Sequence, residues 1–229
     1  MLYAGPALDL APHALPVWCV VVGVDAPMTL TVDGTAHEAR SVLVPPRTAH
    51  QLQARGRIVS TYLDPASGRA AVSATFTRAV GEAALQHRRE SELRAPPTNP
   101  IEALAWLDAA APNCERRMDP RIARLASEFH DDPASKRSAN ALAVDVGLSE
   151  SRLLHLFRAE IGTSMRAYRM WTRMLQAARE VGNGSNLTTA AARGGFASPS
   201  HLADRFKQTF GLTATGLLGT GIDIQVMKD

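Results

Sequence analysis

Apolar positions in the C-terminal half recur at steps of three and four residues, the spacing of amphipathic helices. A short apolar segment over residues 187–193 is followed by a glycine turn ending at Gly195. A second segment then carries Leu202 and Phe206 on one face, and Ser198 can cap its start. The pattern predicts a helix, a glycine turn and a polar-fronted helix, which is the layout of a helix-turn-helix.

The same pattern occurs about fifty residues earlier in the chain. A short apolar helix is predicted to end at Gly147, and Ser149 then caps a helix that carries Leu153 and Phe157. When Gly147 is aligned with Gly195, the second turn comes out one residue longer than the first. A repeat at a fixed period is stronger evidence than a single match, because two independent segments must both fit the pattern.

A long helix is predicted between the two repeats, from Ser164 to Val181. Its apolar stripe, which includes Tyr168, Trp171 and Leu175, indicates core packing. About 17 residues at a rise of 1.5 Å span roughly 26 Å, which could hold two recognition helices about one DNA turn, roughly 34 Å, apart.

The N-terminal part contains short segments in which apolar and polar residues alternate, as they do in β-strands. Between residues 14 and 65, Val17 to Val24 is a β-rich run and Asp33-Gly34 is a hairpin turn signal. Close spacing of such runs predicts a small antiparallel barrel or sandwich of six or seven strands, ending near residue 70.

Residues 70–112 change to an Ala-rich composition that predicts helix. Ala70 to Leu93 is expected to contain helix, with Val80, Ala84 and Leu85 as a thin apolar face. After a proline-rich break, Asn99 and Pro100 are a cap and first position for a further helix. The apolar positions of that helix are Ile101, Leu104, Ala105 and Leu107.

Composition and charge limit the classes of protein. The net charge of +3 over 229 residues is uneven, since residues 1–115 carry −2 and residues 116–229 carry +5. Such asymmetry favours a polyanion partner for the C-terminal half, although a solvated surface is the alternative.

No run of the sequence approaches the roughly 20 apolar residues of a membrane span. Cys19 and Cys114 are too few for a disulfide framework, and residues 1–10 lack the basic start of a secretory signal, so we expect a cytoplasmic location and no membrane partner.

Residues 118–216 resemble the DNA-binding domain of the AraC/XylS family of bacterial transcription regulators. The resemblance has departures: Met165 and Ala214 stand where proline is usual, and Asp204 stands where an arginine is common. The motifs that carry it, in chain order, are Gly147-Leu148-Ser149, Arg152-Leu153, Leu156-Phe157, Gly162-x-Ser164, Tyr168, Arg173-Met174, Ala177, Gly195-Phe196-x-Ser198, Ser200-His201, Phe206-Lys207 and Phe210-Gly211.

The resemblance implies double-stranded operator DNA as the partner. Packing of the apolar face leaves one set of side chains outward on each recognition helix, and these are the candidate DNA contacts. For the first helix the family pattern favours Ser151 and His155. The full set is Glu150, Ser151, Arg152, His155, Arg158, Pro199, Ser200, His201, Asp204 and Lys207.

The family also implies a sensor domain in the N-terminal part. The segment Val44 to His50 looks like the second motif of a cupin barrel, with Arg47 where glycine is usual. Such a barrel can hold a small organic effector in its mouth. The candidate metal ligands are His37, Glu38 and His50. A metal or other cofactor is nevertheless not expected, because His37-Glu38-Ala39 does not supply the histidine pair of the first cupin motif. The candidate effector contacts are Trp18, Arg47, His50 and Tyr62.

These observations predict an α+β protein in four parts. We expect a cupin-like sensor barrel over 1–70, a helical linker over 71–112 that pairs two subunits or packs on its own barrel, an AraC-type domain over 118–216, and a tail over 217–229. The predicted function is a transcription regulator and not an enzyme. Two alternatives stay open: a cupin metalloenzyme fused to a DNA-targeting domain, and a binding module without DNA activity.

Overall fold

The computed structural model describes residues 1–213, apart from the side chain of Ala70. The predicted tail lies outside the described residues. The described residues divide into two compact units, one formed by Met1–Glu115 together with residues 203–213, and one formed by Arg116–Leu202. The boundary near residue 115 lies between the predicted linker over 71–112 and the predicted domain over 118–216. No helix of the described residues is long and apolar enough to cross a membrane.

Nine antiparallel strands form two sheets in the described part of the first compact unit. The larger sheet has the order β1-β7-β2-β5-β9-β8, and the smaller one has the order β4-β3-β6. Seven strands precede residue 68, within the predicted number. The strands are β1 (Leu2–Pro6), β2 (Trp18–Gly23), β3 (Met28–Val32), β4 (Thr35–Ala39), β5 (Ser41–Val44), β6 (His50–Gln53), β7 (Arg57–Leu63), β8 (Phe76–Val80) and β9 (Ala83–His87).

Two turns of the barrel use backbone conformations that favour glycine. The predicted hairpin turn joins β3 to β4, with φ of 50° at Asp33 and 73° at Gly34. Arg47 has a φ of 70°, so the position where the cupin motif usually has glycine keeps glycine's left-handed conformation. The motif's backbone geometry is therefore retained although its residue is not.

The prediction of helix across 70–93 is wrong over most of that stretch. A 3-10 helix covers Gly68–Thr75, and the next residues form β8 and β9, which extend the larger sheet because β9 pairs with β5. Val80, Ala84 and Leu85 therefore lie on strands. Only a short helix, α1 (Glu90–Leu93), remains. Pairing with a neighbouring strand outweighs the helical preference of an Ala-rich segment.

Helix α2 (Pro100–Ala110) covers one face of the larger sheet. Asn99 caps it by accepting a hydrogen bond from the Glu102 backbone N–H at 2.9 Å, as predicted. The buried face of α2 consists of Ala103, Trp106, Leu107 and Ala110. Two of the apolar positions named from the sequence, Ile101 and Leu104, are 83% and 46% exposed.

Helices α3 to α7 lie within the second compact unit, and α8 begins there. Their bounds are α3 (Pro120–Asp131), α4 (Ala139–Asp145), α5 (Glu150–Ile161), α6 (Met165–Gly182), α7 (Leu187–Arg193) and α8 (Pro199–Phe210). The aromatic centre of this unit is built by Phe129, Phe157 and Tyr168, whose ring centroids lie 5.6 to 6.4 Å apart. The long helix α6 therefore packs through its predicted stripe.

Candidate nucleic-acid interface

Both predicted helix-turn-helix elements are present, and their first helices end in the same hydrogen-bonded turn. In the first element the N–H of Leu148 donates to the carbonyl of Ala143 at 2.9 Å. In the second element the N–H of Phe196 donates to the carbonyl of Ala191 at 2.8 Å. A positive-φ glycine precedes the donor in each case. This pattern closes a helix end and satisfies carbonyls that would otherwise lack partners.

Serine caps start both recognition helices. The Oγ atom of Ser149 accepts from the Arg152 N–H at 3.3 Å, and the Oγ atom of Ser198 accepts from the His201 N–H at 3.1 Å. The residue that lengthens the second turn is Ala197, which has no counterpart between Leu148 and Ser149. The predicted one-residue difference between the turns is therefore present.

The two recognition helices present equivalent outward stripes. Positions spaced by four and then three residues share one face of a helix. On α5 these are Ser151, His155 and Arg158, and all three are exposed. On α8 the equivalent positions, 49 residues later, are Ser200, Asp204 and Lys207, also exposed. Each stripe has a serine at its start and a cation at its end.

The remaining candidate contacts flank these stripes. Glu150, Arg152 and Pro199 are exposed near the helix starts. His201 is only half-buried, and its Nδ1 accepts a long hydrogen bond of 3.4 Å from the N–H of Ala197. Its ring also meets Phe196 edge-on, with centroids 5.6 Å apart. His201 thus contributes to the longer turn as well as to the outward surface.

Basic side chains outside the recognition helices were missed by the sequence reasoning. Lys136, Arg166 and Arg193 are exposed, and none forms an ion pair within the described residues. Paired cations are elsewhere, as at Arg137, which contacts Glu128 at 2.8 Å. The exposed cations can contact phosphates. Sequence periodicity places them outside the core, but it cannot show which arginines are paired.

The candidate effector contacts of the barrel do not share one surface. In the register of β2 against β7, Trp18 pairs with Leu63 and Cys19 pairs with Tyr62. Trp18 therefore lies on the face that packs on α2, whereas Tyr62 lies on the opposite face of the sheet. Burial raises the pKa of the Tyr62 phenol. Arg47 is exposed in its turn.

His50 lies beside a second histidine that the sequence reasoning did not single out. His13 and His50 form an antiparallel bridge, and their ring centroids are 4.4 Å apart. Each Nδ1–H donates to a carbonyl two residues earlier, at 3.0 Å on Ala11 and 2.9 Å on Thr48. Burial lowers the pKa of both, that of His50 to about 4, so the pair is neutral at pH 7.

A metal centre has no support in the described part of the chain. No three His, Cys, Asp or Glu side chains lie together there in a way that could hold an ion. His37 and Glu38 are neighbours on β4 and point to opposite faces. The alternative of a cupin metalloenzyme therefore has no observation in its favour.

Comparison with known proteins supports this geometry. Residues 142–219 match a family model described as a helix-turn-helix domain. The C-terminal part of the chain is therefore an AraC-type helix-turn-helix domain, as the motifs predicted. No curated protein matches the chain by sequence.

Solved structures with the same fold come from Vibrio cholerae. An apo variant of ToxT from strain SCE256 aligns with a TM-score of 0.64 at 10% identity, over 98% of this chain and 97% of that one. Wild-type ToxT from the same strain, with bound unsaturated fatty acid, aligns with a TM-score of 0.62 at 10% identity, over 100% of this chain and 96% of that one. The predicted fold class, an N-terminal antiparallel β domain with a C-terminal helix-turn-helix domain, is confirmed.

Proposed function

We propose that this protein is a sequence-specific DNA-binding transcription regulator that places α5 and α8 in two successive major grooves. The observation that carries the proposal is the repeated outward stripe, Ser151, His155 and Arg158 on α5 and Ser200, Asp204 and Lys207 on α8. Hydroxyl, imidazole and cationic groups are the chemistry that contacts base edges and phosphates. Access to operator DNA places the protein in the cytoplasm in this proposal.

The length of α6 supports a reading of two grooves by one chain. Its 18 residues span about 27 Å at the usual rise per residue. This is of the order of one helical turn of DNA, roughly 34 Å. Exposed cations such as Arg166 and Arg193 add the electrostatic attraction on which any DNA affinity depends.

The proposal is tested by selection of DNA from a random-sequence pool with the purified full chain at two salt concentrations. The expected result is one shared motif with two blocks about one helical turn apart. Recovery of DNA without a motif, with a steep loss of binding at the higher salt, would contradict sequence-specific recognition.

We further propose that the N-terminal barrel binds a small-molecule effector. ToxT, which shares the fold, has been crystallised with an unsaturated fatty acid, so a fatty acid is the first probe to use. The candidate contacts are Arg47, His50 and Tyr62, and Trp18 belongs on the opposite face. A dose-dependent rise in melting temperature with an unsaturated fatty acid, lost in Arg47→Ala, is the expected result. No shift at any concentration would contradict this ligand class.

A homodimer is the third part of the proposal. The exposed face of α2 carries two large apolar side chains, Ile101 and Leu104, which a second copy would cover. Light scattering of the purified chain is expected to give the mass of a dimer, and of a monomer for the double variant Ile101→Glu, Leu104→Glu. A monomeric parent at all concentrations would contradict pairing through α2.

A further inference from the structure

Two arginines of α6 bond to backbone carbonyls of one loop instead of facing solvent. The α3–α4 loop, residues 132–138, passes α6 within the second compact unit. The Nε of Arg173 donates to the Pro133 carbonyl at 2.9 Å, and one of its terminal nitrogens donates to the Ser135 carbonyl at 3.2 Å. Arg169 donates to that same carbonyl and to the Arg137 carbonyl at 2.8 Å. Three alternate carbonyls of the loop are therefore held by two side chains one helical turn apart.

The second glycine turn lies against this loop. A Cβ placed on Gly195 would lie 2.8 Å from the Cα of Ala134, so only glycine allows the observed approach. The neighbouring Gly194 is equally close to α6, since its Cβ would lie 2.8 Å from the Arg173 carbonyl oxygen. Arg173 thus meets the loop through its side chain and the second turn through its backbone.

The α3–α4 loop is also bound to the first helix-turn-helix. The Arg137 side chain donates to Glu128 on α3 at 2.8 Å and to Asp145 at the end of α4. The loop then ends at Ser138, whose Oγ caps α4 by accepting from the Ala141 N–H at 3.1 Å. A shift of the loop would therefore move the start of α4.

The chemistry of this contact distinguishes the two arginines from cations that bind DNA. A guanidinium offers five donors in a rigid fork, which suits several carbonyls in fixed directions. Arg169 also lies over the Phe129 ring, with its Cζ 5.2 Å from the centroid. Arg166, on the same helix, is exposed and has no such partners within the described residues. Arg169 and Arg173 are therefore committed to the interior of the second compact unit.

We propose that Arg169 and Arg173 are positioning residues that hold the α3–α4 loop against the second glycine turn and the first helix-turn-helix, and so determine which spacing of two DNA blocks the protein accepts. The part of this inference that concerns DNA rests on the proposed function. The part that concerns geometry does not, because it follows from contacts within residues 116–202.

The geometric part is tested by a distance measurement between spin labels. Labels at Ala159→Cys on α5 and Ala192→Cys on α7, in a Cys114→Ser background, report the two elements; both positions are exposed and Cys19 is buried. The parent is expected to give one narrow distance distribution. The double variant Arg169→Met, Arg173→Met is expected to give a broadened one. An unchanged distribution in the double variant would overturn the proposal.

A pair of glycine variants tests the role of the loop independently, in case the arginine variant does not fold. Gly195→Ala and Gly147→Ala each introduce a side chain at a positive φ, +71° and +67°. Only Gly195→Ala also pushes on the loop, since nothing lies within 4 Å of a Cβ on Gly147. The label distance is expected to shift in Gly195→Ala and to stay in Gly147→Ala. Equal behaviour of the two variants would contradict the role of the loop.

The DNA part is tested on the selected site and on versions with one base pair added or removed between its blocks. The double arginine variant is expected to lose roughly tenfold in its preference for the selected spacing, with an unchanged salt dependence. Loss of a phosphate contact would instead lower affinity at every spacing and reduce the salt slope by about one, and that result would overturn the assignment. If the parent selects no DNA motif, the proposed function fails while the label distances still decide the geometric role.

Discussion

The two helix-turn-helix elements share a scaffold but differ in what they expose. Both have a glycine turn closed by the same bond, a serine cap and a 12-residue second helix. They differ at the centre of the outward stripe, which is His155 on α5 and Asp204 on α8. They also differ in packing, because Phe157 is fully buried whereas its equivalent Phe206 is half-exposed. The two elements therefore share the turn and cap that position the recognition helix, and they differ in the residues that this helix exposes.

The largest effect is expected from the buried aromatic of the first element. Phe157→Ala should lower the free energy of unfolding by about 3–5 kcal/mol, because it opens a cavity between Phe129 and Tyr168. Phe206→Ala should cost about 1–2 kcal/mol, since a half-exposed ring loses less apolar burial. Urea unfolding followed by far-ultraviolet circular dichroism measures both. Equal losses would show that the two elements are packed alike.

The central residues of the two stripes are expected to differ in their effect on DNA binding. His155→Asp should weaken binding to the selected site by about 1–3 kcal/mol, because a carboxylate repels nearby phosphates and removes a donor. Fluorescence anisotropy with the selected duplex measures the change. If His155→Asp binds the selected site with wild-type affinity, His155 does not contact DNA.

Removal of the negative charge at Asp204 tests the equivalent position on α8. Asp204→Asn should raise the affinity for unrelated DNA by about 0.5–1 kcal/mol, since one repulsion with phosphate is removed. If Asp204 accepts a hydrogen bond from a cytosine amine, the same variant will also relax base preference at one position of the motif. Selection and anisotropy on the variant separate these effects. If the variant shows neither a higher affinity for unrelated DNA nor a relaxed base preference, Asp204 does not lie at the DNA interface.

The smallest effects on stability are expected at the serine caps, and the two effects should be equal. Ser149→Ala and Ser198→Ala each remove an acceptor for one backbone N–H and should cost about 1 kcal/mol of stability. Thermal unfolding of the two variants under one condition provides the measurement. A cost confined to one cap would show that the shared scaffold is less regular than its hydrogen bonds indicate.

The sequence could predict elements whose determinants are local. The caps at Asn99, Ser149 and Ser198 and the turns at Gly147 and Gly195 depend on residues a few positions apart, and all are found where the pattern places them. The helix-turn-helix repeat follows from these local determinants.

Features that depend on distant partners were not predictable in the same way. Residues 76–87 form strands against an Ala-rich composition because β9 pairs with β5, more than thirty residues away, and β8 pairs with β9. The separation of Trp18 from Tyr62 depends on the register of β2 against β7. The contacts of Arg169 and Arg173 with the α3–α4 loop join residues 32 to 40 positions apart. Periodicity shows only that these arginines lie off the apolar stripe.

The central claim is that both recognition helices contact DNA. Hydroxyl-radical footprinting of the selected DNA with the parent chain is the most direct test of this claim. The account predicts two protected segments on one face of the duplex, about one helical turn apart. Arg158→Ala should weaken protection of one segment, and Lys207→Ala should weaken protection of the other. A single protected segment, or loss of the same segment in both variants, would contradict the claim.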